Sequence, residues 1–165
     1  MSDAIVRIRR AAPADRTRLG EMAGKLVRMH HGFDRDRFLG LDNVEEGYGR
    51  WLVRESARDQ ALVLVAERGD GAIVGYLYAT SEDISWEDLR GPCGYLHDLW
   101  IEDDARRAGA AKALIESACA HFKERGLPRV VLMTASRNGG AHAAFAKLGF
   151  RDTMIEMTRE LGEDT

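Results

Sequence analysis

Glu102-Asp103-Asp104-Ala105-Arg106-Arg107-Ala108-Gly109-Ala110-Ala111-Lys112 is the stretch whose reading decides the fold. Upstream lies Gly94–Ile101, which reads as a strand. Downstream lies Arg107–Arg125, the clearest helix of the chain, with Ala111, Leu114, Ile115, Ala118, Cys119 and Phe122 spaced at three and four. Small side chains let a backbone come close to a ligand. Successive amide hydrogens at a helix start form an anion site, and the helix dipole adds to it. Arginine pairs phosphates through a planar fork. A strand, a turn of small residues and arginines, and a helix therefore make a pyrophosphate cradle over Arg106–Lys112. The same residues also read as an ordinary helix start carrying two exposed arginines.

Working outward, Gly126 and Pro128 stop that helix, and Val130–Thr134 reads as the strand that follows. Asn138 caps a last helix with the stripe Ala141, Ala144, Phe145 and Leu148, and Arg151–Arg159 reads as a closing strand. Toward the N-terminus, Ala61–Ala66 is a continuous apolar run expected of a buried strand. Gly69-Asp70-Gly71 turns it back into Ala72–Thr80 as a hairpin. Ser81–Gly91 is acidic and irregular. Ile5–Ile8 suggests an opening strand, and Pro13 with Asp15 opens a helix with the stripe Leu19, Met22, Ala23, Leu26 and Val27. His30–Asn43 reads as a loop, and Val44, Tyr48, Trp51 and Leu52 share a face of a second helix. Hairpins beside a strand–helix–strand crossover imply an α/β fold: a mixed sheet of six or seven strands flanked by about four helices.

The 165 residues suit one domain, 1–165, with a full core. A net charge of −3 gives no basic surplus for a nucleic-acid partner. No stretch approaches the roughly 20 apolar residues that a membrane helix needs. Two cysteines far apart in sequence, Cys93 and Cys119, fit a reduced compartment, and the expected location is the cytoplasm. His30-His31 does not read as a metal site, because adjacent helix residues point apart and no carboxylate or cysteine completes a set. His121 and His142 fall off the apolar stripes and read as surface residues.

The cradle resembles motif A of the GNAT acetyltransferase superfamily, Arg/Gln-x-x-Gly-x-Gly/Ala, matched here by Arg106, Gly109 and Ala111. A second resemblance lies downstream, where the family often shows Asn, Ala three later, Tyr seven later, and Gly-Phe at the helix end. The chain has Asn138, Ala141, Phe145 and Gly149-Phe150. The two motifs stand in order on the matching elements, and the resemblance spans nearly the whole chain. It implies a centrally splayed sheet and acetyl-CoA as co-substrate, with no metal. Pantetheine would bond the backbone of Leu99, Trp100 and Ile101. The amides of Arg107, Ala108, Gly109, Ala110, Ala111 and Lys112 would wrap the pyrophosphate, with Arg106 beside them. Asn138 and Phe145 would meet the cofactor from the other side. The family's usual tyrosine acid is Phe145 here, which leaves the general acid open. The implied reaction is direct transfer of acetyl to a primary amine, with a small-molecule amine as the partner; a homodimer is one open possibility for the chain. A non-catalytic acyl-CoA-binding module is the alternative.

Acyl transfer to an amine is helped by a base that takes the ammonium proton. His97, four residues before Ile101, is the first candidate, since histidine titrates near neutrality. Polyamine acetyltransferases of the superfamily carry a glutamate at the matching place in the similar stretch Tyr95-Leu96-His97-Asp98. A structural histidine on a strand is the competing reading. Tyr95 and Asp98 are further candidates, with Asp98 expected on the opposite face from His97 by strand alternation. Glu82, Asp83, Glu87 and Asp88 read as a solvated loop or as a patch for a cationic amine. Tyr48, Trp51 and Trp86 either line an acceptor pocket or pack.

Overall fold

The computed structural model describes residues 6–106 and 108–162. Its elements are β1 (Arg7–Arg10), α1 (Arg16–Phe33), α2 (Glu45–Ser56), β2 (Ala61–Glu67), β3 (Ile73–Glu82), β4 (Cys93–Ile101), α3 (Ala110–Glu124), β5 (Val130–Leu132) and α4 (Gly139–Lys147). The sheet runs β1-β2-β3-β4-β5; the first four strands are antiparallel in sequence, and β5 joins β4 in parallel.

Strand β2 is buried along nearly its whole length because both faces of the sheet are covered. Leu62 and Leu64 face α3, packing with Leu77, Ala79, Leu96, Leu114, Ile115 and Phe122. Val63 and Val65 face α1 and α2, packing with Leu19, Met22, Leu52, Tyr76 and Tyr78. Helices α1 and α2 meet at their glycines. A Cβ on Gly20 would collide with the Glu45 carbonyl, and one on Gly49 with the Arg16 carbonyl.

Several element ends differ from the sequence reading. Strand β1 is centred later than Ile5–Ile8, and Ile5 lies outside the described residues. Helix α1 runs on through His30 and His31, whose Nδ1 atoms lie 2.9 Å and 3.0 Å from the carbonyls of Leu26 and Phe38. Helix α3 begins at Ala110 rather than Arg107, because Gly109 takes a left-handed φ of 75° that ends the preceding turn.

Among the described residues the sheet has five strands rather than six or seven. Arg151–Arg159 forms no strand. Its apolar residues do not alternate: Met154, Ile155 and Met157 fall on both faces, and all are exposed. The partner it would need, β5, is three residues long. The segment is tied instead by side chains. Glu156 accepts two hydrogen bonds from Arg37, one of them 2.8 Å from Nη2, and His142 Nε2 lies 2.8 Å from Asp152.

Candidate acyl-transfer site

Strand β4 carries both halves of the candidate site. Its pairing with β5 covers only Gly94 to Leu96, ending at Leu132. On its other edge β4 stays paired to β3 through Ile101. The edge of β4 facing β5 is therefore open from His97 to Ile101, and this is the splay implied by the family resemblance. It lies between the last two strands instead of mid-sheet, because no strand forms beyond β5 among the described residues. Leu99, Trp100 and Ile101 stand on this open edge, where an extended chain of amides could add to the ladder.

The cradle lies at the end of the same strand. Gly109 is the N-cap of α3, and the amides of Ala110, Ala111 and Lys112 have no carbonyl within the helix to bond. Ala110 is buried and Ala111 half-buried, so the loop is pressed onto the α3-side core by methyl groups. No atom lies within 4 Å of a Cβ built on Gly109, so that side of the loop is open. Arg106 is half-exposed. Its Nη2 pairs with Asp103 at 2.9 Å, its Nε donates to the Ile101 carbonyl at 3.3 Å, and its guanidinium stands 5.6 Å from the Trp100 ring. Lys112 is on the surface, 3.7 Å from Glu116. Ala108 is half-buried, its N–H donating to the Ala105 carbonyl at 3.1 Å. Arg107, expected in the same cradle, lies outside the described residues. Small side chains, free helix-start amides and a nearby guanidinium fit a pyrophosphate.

Asn138 caps α4 with its own side chain, Oδ1 accepting from Ala141 N–H at 3.2 Å. Phe145 packs half-buried against the α3-side core, its ring edge-on to Phe150 at 5.9 Å.

On the α1/α2 face, β4 is irregular. Tyr78 of β3 pairs with Asp98, and the next residue, Ala79, pairs with Leu96, so His97 is an extra residue in a bulge. The bulge overturns the expectation that His97 and Asp98 face opposite ways. Both lie under α2. Asp98 is buried and accepts hydrogen bonds from Tyr48 at 2.8 Å and Tyr76 at 3.1 Å. Burial pushes its carboxyl above the ordinary range, and the two tyrosine hydroxyls oppose the shift.

His97 is stacked between Tyr95 (4.6 Å) and Tyr78 (5.0 Å). Its Nε2 lies 2.7 Å from Thr80 Oγ1 and 3.6 Å from Glu82. Burial moves the imidazole below its ordinary 6.5, opposed by the charges of Glu82 and Glu55. Tyr95 is raised by burial and then by Glu82. The ring file continues outward. Trp51 stands edge-on to Tyr78 at 4.9 Å, and Tyr48 edge-on to Trp51 at 5.4 Å. Val44, Gly47, Tyr48 and Trp51 line an open pocket of about 450 Å³. Tyr48 and Trp51 line this depression, whereas Trp86 is 78% exposed.

Of the acidic loop, Glu82 alone reaches the histidine, and Arg90 holds its other oxygen at 2.6 Å. Glu55, Tyr78 and Thr80 were missed by the sequence reading. Glu55 is buried and accepts from Tyr78 at 3.1 Å and Arg58 at 2.7 Å. Only the β3–β4 register places Tyr78 and Thr80 beside His97; a Tyr-x-Thr-x-Glu alternation in β3 was the available signal.

Residues 27–150 match the acetyltransferase (GNAT) family model. The chain belongs to the GNAT family. Among curated relatives, it is 32% identical over 98 residues to a mycothiol acetyltransferase of Saccharomonospora viridis, covering 59% of this chain and 32% of that one. The chain thus spans about a third of that relative's length. Among solved structures, the aminoglycoside antibiotic 6'-N-acetyltransferase of Acinetobacter haemolyticus superposes with a TM-score of 0.74 at 23% identity, covering 96% of this chain and 99% of that one. An aminoglycoside N-acetyltransferase solved in complex with CoA gives 0.74 at 18% identity, covering 96% of each chain. These likenesses concern the GNAT fold. Among the described residues, no helix is long and apolar enough to cross a membrane, and no group of three metal-ligating side chains converges.

Proposed function

We propose that the chain is an N-acetyltransferase that moves acetyl from acetyl-CoA to the primary amine of a small molecule, by direct attack in a ternary complex. One observation carries the reading. A single strand, β4, runs from the helix start along an open backbone edge to a histidine stacked between Tyr95 and Tyr78. A donor threaded from cradle to bulge would bring its thioester toward His97. Family membership and the CoA held by a solved structure of the same fold support that donor.

In this reading the amine nitrogen attacks the thioester carbon. The C–N bond forms, the C–S bond breaks with the electron pair leaving on sulfur, and the ammonium proton passes to His97. Arg106, with Ala108, Gly109, Ala110, Ala111 and Lys112, holds the pyrophosphate. Leu99, Trp100 and Ile101 bond the pantetheine, and Asn138 and Phe145 border it. A cytoplasmic location and a homodimer, built on the exposed apolar side chains of the C-terminal segment, are proposed with it.

The test is thiol release from acetyl-CoA in a panel of spermidine, amino acids, aminoglycosides, amino sugars and peptides. Amine-dependent release with at least one small amine is expected. The second reading, a non-catalytic acyl-CoA binder, draws on Phe145, whose ring offers no proton to a departing thiolate. Tight CoA binding with no release across the panel would favour it.

A further inference from the structure

His97, Thr80 and Glu82 form a file in which each hydrogen has one place to go. Thr80 Oγ1 lies 3.1 Å from Glu82 Oε1 and 2.7 Å from His97 Nε2. A carboxylate oxygen only accepts, so the threonine hydroxyl donates to Glu82. That hydroxyl has one hydrogen. The shorter bond must therefore be donated by the imidazole, with the proton on Nε2. Direct contact between Nε2 and Glu82 is too long for a hydrogen bond at 3.6 Å, so the threonine is the link.

We propose that Glu82, acting through Thr80, is a positioning pair that holds neutral His97 in the Nε2–H tautomer and leaves the Nδ1 lone pair to take the amine's proton. This rests on the reading of His97 as the base. The surroundings fix what the relay does not. Tyr78 and Tyr95 clamp the ring plane, and Arg90 donates to Glu82 Oε2 at 2.6 Å, keeping Oε1 for the threonine. The same guanidinium stands 5.5 Å from the Tyr95 ring. Behind Tyr78 sits Glu55 with Arg58, and under α2 Asp98 is held by Tyr48 and Tyr76; none of these is hydrogen-bonded to the imidazole.

The arrangement makes an unusual demand on Glu82→Gln. Arginine has no acceptor, so the new amide must turn its oxygen toward Arg90 and its NH2 toward Thr80. Threonine then accepts from glutamine and donates to Nε2, which reverses the file and drives the proton to Nδ1. Thr80→Val removes the link without changing side-chain shape, and Thr80→Ser keeps it.

The experiment is long-range ¹H–¹⁵N spectroscopy of the imidazoles in the intact protein, at a pH where His97 is neutral. The His97 signals are assigned by their loss in His97→Gln, among the five histidines of the chain. Wild type and Thr80→Ser should show Nε2–H, Thr80→Val a mixture, and Glu82→Gln a majority of Nδ1–H. With an amine that the protein acetylates, kcat should fall roughly 10–100-fold in Glu82→Gln, the scale at which outer-shell partners of metal-ligating histidines act, with KM for acetyl-CoA unchanged. Wild type in the Nδ1–H form, or a tautomer that Thr80→Val and Glu82→Gln leave unmoved, overturns the relay. The base reading fails separately, if His97→Ala keeps its turnover.

Discussion

His97 leaves about a third of its side chain, 32%, open to solvent while both ring faces are covered by tyrosines. Its pKa lies below the ordinary 6.5, with burial as the largest cause. The imidazole is thus neutral at lower pH than a free histidine, and the rising limb of kcat/KM assigned to it should lie below 6.5. His97→Ala should lower turnover at neutral pH by about 10²-fold or more, the lower end of a general base's contribution, and recover part of it at high pH where free amine is plentiful. Steady-state rates across pH, at saturating acetyl-CoA, check both. Asp98, its neighbour in the bulge, makes the opposite case. Its carboxyl is raised above 3.8 by burial, so folding favours the protonated form, and the stability this gives is lost as pH rises through the raised value. Asp98→Asn carries no such charge. Its melting temperature relative to wild type should rise from pH 4 toward neutrality, read by calorimetry. Phe145→Tyr should leave turnover unchanged. An added hydroxyl left without a partner would cost about 1–3 kcal/mol. A gain in rate would instead place that ring against the thiol.

The elements differ in how much of themselves they write into sequence. Strand β2 is legible because sheet and helices cover both of its faces, which demands the unbroken run Ala61–Ala66. Helix α3 is legible because one stripe meets the core. The start of α3 was placed too early, because the positive φ of Gly109, which holds the helix back to Ala110, leaves no mark in the apolar stripe. The bulge at His97 is not legible either, since it is a property of how β4 pairs with β3 and leaves no mark in β4 alone. For the same reason Thr80 and Glu82 could not be placed beside the histidine. The closing strand was misread because β-rich composition in Arg151–Arg159 lacks the alternation that gives a strand one buried face. Two glycines test this scale. Gly109→Asp should fold, since its Cβ meets nothing within 4 Å, with a strain of about 1–2 kcal/mol from the left-handed backbone. It should lose CoA binding by calorimetry, because a negative charge would meet the pyrophosphate. Gly20→Ala should do the reverse. Its methyl forces α1 from α2 at the Glu45 carbonyl, costing about 1–3 kcal/mol in melting stability and loosening the pocket wall while the cradle stays intact.

Across the whole molecule, the sheet separates two approaches that converge on one strand. The β5 side of β4 is an open edge leading to the cradle, while the α2 side holds the pocket, the ring file and His97. On the proposed reading, the donor would lie along the β5 edge of β4 and the amine would approach His97 from its exposed side. The chain's two thiols, Cys93 and Cys119, are free. Cys93 is fully buried, held by Arg90, and its thiol is raised by burial. Cys119 is on α3, packed against the core on the other face of the sheet, and it too is raised by burial. A raised thiol is a poor nucleophile at neutral pH, because the thiolate is the reactive form. Acetyl should therefore pass straight from sulfur to the amine. Initial-rate lines at varied acetyl-CoA and amine should intersect, as both must be bound before any product leaves. Acetyl-CoA without amine should release no burst of CoA, and mass spectrometry of the protein incubated with acetyl-CoA should find no added acetyl group. The double variant Cys93→Ala, Cys119→Ala should keep its turnover. Parallel lines, together with an acetylated protein that transfers its group to added amine, would replace direct attack with a covalent route.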